Sequence, residues 1–152
     1  MEELARKQTI PGARLADVFA FFSDPRNLAR ITPSWLSFRI VGAPSRLEAG
    51  SRLEYRIRWM LWSLRWVTRI TRWEPPHEFE DAQERGPYSR WVHTHRFREV
   101  AGGVEMEDRV AYRLPFGPLG ALVHRLRVRR QLEGIFDFRR REIERLFAGP
   151  QP

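Results

Sequence analysis

Across residues 53–112 the sequence alternates apolar and polar side chains with a period of two, in runs separated by short turn signals. Leu53, Tyr55, Ile57, Trp59 and Leu61 alternate with Glu54, Arg56 and Arg58. Trp66, Thr68 and Ile70 alternate with Arg65, Val67 and Arg69, and Phe79, Asp81 and Gln83 share a face ahead of Gly86-Pro87. Trp91, His93, His95 and Phe97 then share a face, and after Ala101-Gly102-Gly103 so do Val104, Met106, Asp108, Val110 and Tyr112. That period belongs to strands with one buried face, and connections this short join antiparallel neighbours. Leu36, Phe38 and Ile40 extend the pattern upstream, for about six strands in a meander.

Helical spacing frames the strands. Leu15, Val18, Phe19 and Phe22 predict a helix over residues 13–23, after a short extended piece at Thr9-Ile10. Asp24-Pro25 restarts the chain as a second short helix with Leu28 and Ile31, Asp24 as its cap. Residues 121–148 contain no proline and one glycine, Gly134, and read as one long helix. Its apolar stripe drifts from Leu122 and Leu126 to Leu132, Phe136 and Ile143, which predicts a bend near Arg129-Arg130 or Gly134. The fold class is α+β: a curved antiparallel sheet around a long C-terminal helix, two short helices near the N-terminus, in one domain over residues 1–152.

Composition narrows the function. At 42% hydrophobic and 30% charged residues the chain has the balance of a soluble globular protein. No apolar run approaches the roughly 18–20 residues of a membrane span, and the acidic start lacks the apolar core of a secretory leader. Without cysteine there is no disulfide framework, thiolate nucleophile or cysteine-type zinc site. A cytoplasmic protein is the expectation. The net charge of +8 raises nucleic acid as a partner, yet Lys7 is the only lysine and the arginines are interleaved with acids throughout. That distribution reads as a solvated basic surface rather than a phosphate footprint. Eight arginines follow residue 120 against four acids, so a peripheral contact with anionic membrane is a further expectation, beside a plain solvated helix face.

The histidine strand is the chemical signal. A face built only for packing would hold Val, Ile or Leu, whereas this one sets two imidazoles between Trp91 and Phe97. Histidine is costly to bury without a partner. A turn centred on Ala101-Gly102 pairs Phe97 with Met106 and His95 with Asp108, so the carboxylate and imidazole satisfy each other. His93-Thr94-His95 also has the spacing for a metal, with Asp81 or Asp108 as third ligand. A hydrogen-bonded polar cluster in a pocket wall is the reading preferred, with no metal and no cofactor. The candidate lining is Phe38, Tyr55, Ile57, Trp59, Trp66, Thr68, Phe79, Asp81, Gln83, Trp91, His93, His95, Met106, Asp108 and Val110, with Leu132 and Phe136 from the helix. Candidate acid–base groups are His93, His95 and Asp108; no Ser-His-Asp order, phosphate loop or carboxylate pair is present.

Several tracts together carry a family resemblance: Val18-Phe19-Ala20-Phe21-Phe22-Ser23-Asp24-Pro25-Arg26-Asn27-Leu28, Ile31-Thr32-Pro33-Ser34-Trp35-Leu36-Ser37-Phe38, Trp73-Glu74-Pro75-Pro76, the histidine strand, Asp108-Arg109-Val110-Ala111-Tyr112-Arg113-Leu114-Pro115-Phe116-Gly117 and Ile135-Phe136-Asp137-Phe138-Arg139. The chain resembles the START/Bet v1-like (SRPBCC) superfamily, in its polyketide cyclase/dehydratase and lipid-transport group. The resemblance implies a helix-grip fold with a deep hydrophobic cavity. It implies binding or transport of a small hydrophobic or amphipathic molecule such as a lipid, quinone or polyketide. A cyclase- or dehydratase-like enzyme is the alternative, and a basic membrane or nucleic-acid adaptor a third. Two departures stand out. The first strand looks clipped, and Met60-Leu61-Trp62-Ser63-Leu64 replaces a more polar hairpin turn.

Overall fold

The computed structural model describes residues 1–59 and 61–149, and of Trp59 the main chain only. Seven strands form a single antiparallel sheet: β1 (Glu2–Pro11), β2 (Arg39–Gly42), β3 (Arg52–Trp59), β4 (Trp62–Glu74), β5 (Glu78–Arg85), β6 (Arg90–Val100) and β7 (Gly103–Arg113). Their order across the sheet is β1-β7-β6-β5-β4-β3-β2, so consecutive strands from β2 to β7 are neighbours. β1 closes the far edge on β7, with every residue of Glu2–Pro11 in register. Between the two edge strands the chain crosses through α1 (Leu15–Phe22), α2 (Arg26–Arg30) and a 3-10 turn at Ser34–Leu36. After β7, helix α3 (Gly117–Val123) passes through a π-turn (His124–Val128) into α4 (Arg129–Phe147).

The expected meander is present, with Phe97 opposite Met106 and His95 opposite Asp108. Asp24 accepts the main-chain N–H of Arg26 at 3.0 Å, but the N-cap position of α2 is Pro25, one residue later than expected, and no side chain caps it. Four further expectations need correction. The first strand is not clipped. Its inward residues are Leu4, Gln8 and Ile10, and a strand with a glutamine on its buried face shows only half a hydrophobic signal. Gln8 is tolerated there because its side-chain amide donates to the carbonyl of Arg140 on α4 at 2.9 Å. Leu36 does not open β2; it sits in the 3-10 turn, and Ser37 takes a left-handed φ of 47° that ends any strand run. Leu61 is not an inward strand residue, being 93% exposed at the β3–β4 turn, whose Met60 lies outside the described residues. The long helix starts at Gly117 and its irregularity is the π-turn at His124–Val128, one turn before the expected bend. There His124 is buried, with its Nε2 2.7 Å from the Tyr112 hydroxyl.

Two apolar clusters flank a gap between sheet and helix. One joins α1 to the sheet and the end of α4 through Val18, Phe19, Phe97, Met106 and Ile143. The other joins Leu4, Val110 and Tyr112 to Val128, Leu132 and Phe136. Among the described residues no helix is long and apolar enough to cross a membrane.

Backbone proximity yields a paired test. A methyl at Gly103 would run into the main-chain oxygen of Ile10 on the adjoining strand, whereas one at Gly134 meets nothing within 4 Å. Gly103→Ala should cost about 1–3 kcal/mol in urea denaturation. Gly134→Ala, on an exposed helical turn, should gain up to about 1 kcal/mol. Equal effects would contradict the close β1–β7 approach.

Candidate functional site

Because the sheet curves away from α4, its concave face and the helix enclose a cleft with about 1250 Å³ of non-atom space, solvent at its mouth included. The alternation along each strand decides what faces it. β3 contributes Leu53, Tyr55 and Ile57, β4 Trp66, Thr68 and Ile70, β5 Phe79 and Asp81, and β6 Trp91, His93 and His95. The stripe of α4 adds Leu132, Ile135, Phe136 and Arg139, and α1, α2 and the segment before β2 supply Phe22, Leu28, Ile31 and Phe38. One wall is aromatic. Tyr55 stacks on Trp66 with centroids 5.8 Å apart, Trp66 meets Trp91 edge-on at 5.2 Å, and Tyr88 lies 4.8 Å from Trp91. Such walls suit flat or extended apolar ligands.

A charged cluster interrupts this apolar surface. His93 and His95 are two apart on β6 and so point the same way, their ring centroids 3.8 Å apart. Asp108 reaches them from β7 and Asp81 from β5. Asp108 Oδ1 lies 3.0 Å from His93 Nε2, in a hydrogen bond, and 2.8 Å from His95 Nδ1, a charge contact poorly aligned for one. Asp81 Oδ2 lies 3.4 Å from His95 Nε2, and Asp81 Oδ1 accepts the hydroxyl of Thr68 at 2.9 Å. Arg139 brings its guanidinium from α4 over the Phe136 ring, with Nη1 3.6 Å from Asp108 Oδ1. Phe79 stacks on His95 at 4.2 Å and Phe136 stands edge-on to His93 at 5.7 Å.

The two imidazoles are driven apart in acidity. Burial pushes His93 down, the charge of His95 adds to it, and its pKa falls to about 4 despite the two carboxylates. Burial also opposes charge on His95, but contacts to Asp108 and Asp81 outweigh it and raise its pKa above the ordinary histidine value. For Asp108 the penalty of burial is overcome by His93, His95 and Arg139, which hold the carboxyl well below its usual range. Asp81 is lowered likewise, by His95, His93 and Thr68 against burial. Below the raised pKa of His95 the cluster therefore holds two carboxylates, one imidazolium, one guanidinium and, down to about pH 4, a neutral His93. Its charges cancel, which is what makes its burial tolerable.

Chemically, a neutral imidazole beside a protonated one offers a base and an acid on one wall. Asp81, His93 and His95 also present one donor atom each within 4.8 Å of one another, a set that fits a divalent cation. Asp108, on the far nitrogens of both rings, would be the orienting carboxylate. A cation there would have to displace the proton that His95 holds.

Of the candidate lining, Phe38, Tyr55, Ile57, Trp66, Thr68, Phe79, Asp81, Trp91, His93, His95, Leu132 and Phe136 meet in this cleft. Four do not reach its wall. Met106 and Val110 are buried in the two apolar clusters, and Asp108 stands behind the two histidines, hydrogen-bonded to His93. Gln83 turns to the β5–β6 connection, donating to the Tyr88 carbonyl at 2.7 Å, because the pairing of β5 with β4 slips near Val67 and Thr68. The side chain of Trp59 lies outside the described residues. Sequence reasoning missed Arg139, Tyr88 and Ile135. For Arg139 a signal existed: positions 132, 136, 139 and 143 fall on one helical face, so an arginine sits within the apolar stripe.

A curved antiparallel sheet closed by a long helix, with an apolar cleft and a polar floor, defines the helix-grip class of ligand-binding proteins. The chain belongs to the family described as polyketide cyclase/dehydrase and lipid transport, whose model matches residues 1–147. Among solved structures it is similar to TTHA0849 of Thermus thermophilus, at 20% identity and a TM-score of 0.77, covering 98% of this chain and 100% of that one. A protein of Arthrobacter aurescens is 14% identical with a TM-score of 0.73, covering 97% and 87% of the two chains. Ara h 8.0201 is 13% identical with a TM-score of 0.63, covering 98% and 99%. These likenesses establish the Bet v1-like fold. No curated protein matches the sequence significantly.

Proposed function

We propose that this protein binds a small amphipathic molecule, with the apolar body in the cleft and an acceptor-bearing head against Arg139 and Trp66, and carries it without turnover. Unused donors support this reading. Trp66 Nε1, Arg139 Nε and Arg139 Nη1 are buried with no hydrogen-bond partner among the described residues, and both side chains line the cleft. A buried donor without a partner is costly, and a ligand carbonyl or carboxylate would satisfy it. Lipids, quinones and polyketide-like molecules combine such a head with an apolar body, in keeping with the family description.

Native mass spectrometry of the purified protein should show a co-purified small molecule. Dodecanoate should raise the melting temperature more than dodecanol, since a bond to a charged donor contributes about 1.5–3 kcal/mol. Arg139→Met should shrink that preference by about tenfold in affinity or more, whereas Arg139→Lys should retain much of it. Ile135→Trp, which fills the cleft, should abolish both shifts with the fold intact. No adduct and no shift with either compound, or an undiminished preference in Arg139→Met, would refute the reading.

A second reading rests on the paired histidines. If the neutral His93 and charged His95 act as base and acid, the protein is a cyclase- or dehydratase-like enzyme. A turnover on a polyketide-like substrate that His95→Gln abolishes, with ligand affinity unchanged, would establish this reading over simple carriage.

A further inference from the structure

We propose that one end of the sheet is a docking face for anionic membrane, and that ligand exchanges there. The topology gathers this face. In an antiparallel meander, the β3–β4, β5–β6 and β7–α3 connections must lie at the same end. At that end the chain leaves bare Leu61 and Trp62 at the β3–β4 turn, Phe116 on the β7–α3 connection, and Leu119, Leu122 and Leu126 on α3 and the π-turn that follow it. Leu61 is 93% and Phe116 80% exposed, and the other four are all more than half exposed. Phe116 is held outward by a left-handed φ of 70° at the start of α3. Beyond this end and the neighbouring N-terminal Met1, Trp35 and Val41 on the β2 flank are the comparably bare large apolar side chains among the described residues. A patch this concentrated marks an interaction surface rather than scattered exposure.

The charges select the partner. Arg52, Arg69, Arg72, Arg96 and Arg98 are each salt-bridged to a glutamate along the rest of the sheet. Arg90 and Arg113, opposite each other beside the apolar end, and Arg125 and Arg127 within the π-turn make no salt bridge among the described residues and are exposed. Glu2 and Glu3 lie on the β1 edge, opposite Tyr112 and Ala111, with Glu3 engaged by Arg109. Bare apolar side chains ringed by uncompensated arginines match the interface of an anionic bilayer, where the former enter the acyl boundary and the latter meet lipid phosphates. On the rest of the helix Arg129, Arg140 and Arg145 are engaged with Glu133, Glu144 and Glu142, while Arg130 and Arg141 are exposed without a salt bridge among the described residues.

The same end leads inward. A second cleft of about 660 Å³ of non-atom space, open solvent included, lies beneath Phe116, Leu119 and Val123, and it shares Pro87 and Tyr88 with the central one. An apolar molecule leaving the bilayer would meet this cleft first, with Tyr88 between it and the cavity. The docking proposal itself does not depend on what the cavity holds.

The full chain would be co-sedimented with phosphatidylcholine vesicles, with and without phosphatidylglycerol, at low and high salt. Binding should require phosphatidylglycerol and weaken with salt. Leu119→Asp and, separately, Arg125→Glu with Arg127→Glu should each cut it by about tenfold or more with melting temperature unchanged, and the arginine pair variant should also keep dodecanoate binding. Arg140→Glu with Arg145→Glu, which alters equal charge away from the face, should have a much smaller effect. Equal loss in both charge variants, or no vesicle binding at all, would overturn the proposal. So would a concentration-dependent dimer that Leu119→Asp dissolves while vesicle binding is absent, or DNA binding that survives physiological salt and displaces the vesicles.

Discussion

Replacing Asp108 by alanine should lower the unfolding free energy by about 3–5 kcal/mol, the range found when one member of a buried charge set is removed. Asp108 is 4% exposed and its carboxylate faces His93, His95 and Arg139 at once. Without it, two buried cations share Asp81 alone, and His93 loses its acceptor. Urea denaturation at neutral pH measures the loss. The coupling gives a second readout: His95→Gln should cost clearly less in the Asp108→Ala background than in the native protein, because the charge it removes is by then uncompensated. A loss below about 1 kcal/mol, or strict additivity, would mean that the cluster is not a single charge-balanced unit.

The pairing behind this prediction was legible in the sequence, and its legibility has a physical cause. A strand period of two and the turn at Ala101-Gly102 fix the register of β6 against β7, since a slip of one residue would expose Val104, Met106 and Val110. Asp81 also followed from alternation, because β5 stays in register with β6 from Glu78 to Ala82. Gln83 did not, since the slip between β5 and β4 is a tertiary irregularity that no local pattern announces. β1 was foreshortened for a related reason. Gln8 is inward, yet its burial depends on the carbonyl of Arg140, 132 positions away. Arg139 was lost among its neighbours: four of the eight arginines after residue 120 lie within residues 139–145, and its place in the apolar stripe with Leu132, Phe136 and Ile143 is what separates the buried one from the solvated ones. The docking end was half legible. Residues 119–126 showed their apolar and basic content, but the connection at Leu61 and Trp62 joins them only once the strands are ordered.

Against pH, the stability contributed by the histidine pair should pass through a maximum near the ordinary histidine pKa of about 6.5. Above it, the folded state holds a proton on His95, whose pKa is raised, while the unfolded chain holds none. The stabilisation from His95 is therefore fully present below about 6.5 and is lost as pH rises through its folded-state value. Below about 6.5 the unfolded chain protonates both imidazoles, whereas the folded protein refuses the proton on His93 until its pKa of about 4. Stability must then fall with pH by about 1.4 kcal/mol per unit, amounting to something on the order of 3 kcal/mol across that interval. Asp108 and Asp81, both lowered, add their losses once pH falls into the ordinary carboxyl range, from about pH 5 downward, so the histidine contribution is read between about pH 6.5 and 5. Urea denaturation at a series of pH values reads both limbs. His93→Gln should flatten the acid limb and keep an alkaline one, whereas His95→Gln should remove the alkaline limb and also shorten the acid one, because the charge of His95 helps to hold His93 down. Parallel curves for the native protein and both variants would show that these imidazoles do not titrate as an opposed pair, and would remove the charge balance on which the polar floor of the cleft rests.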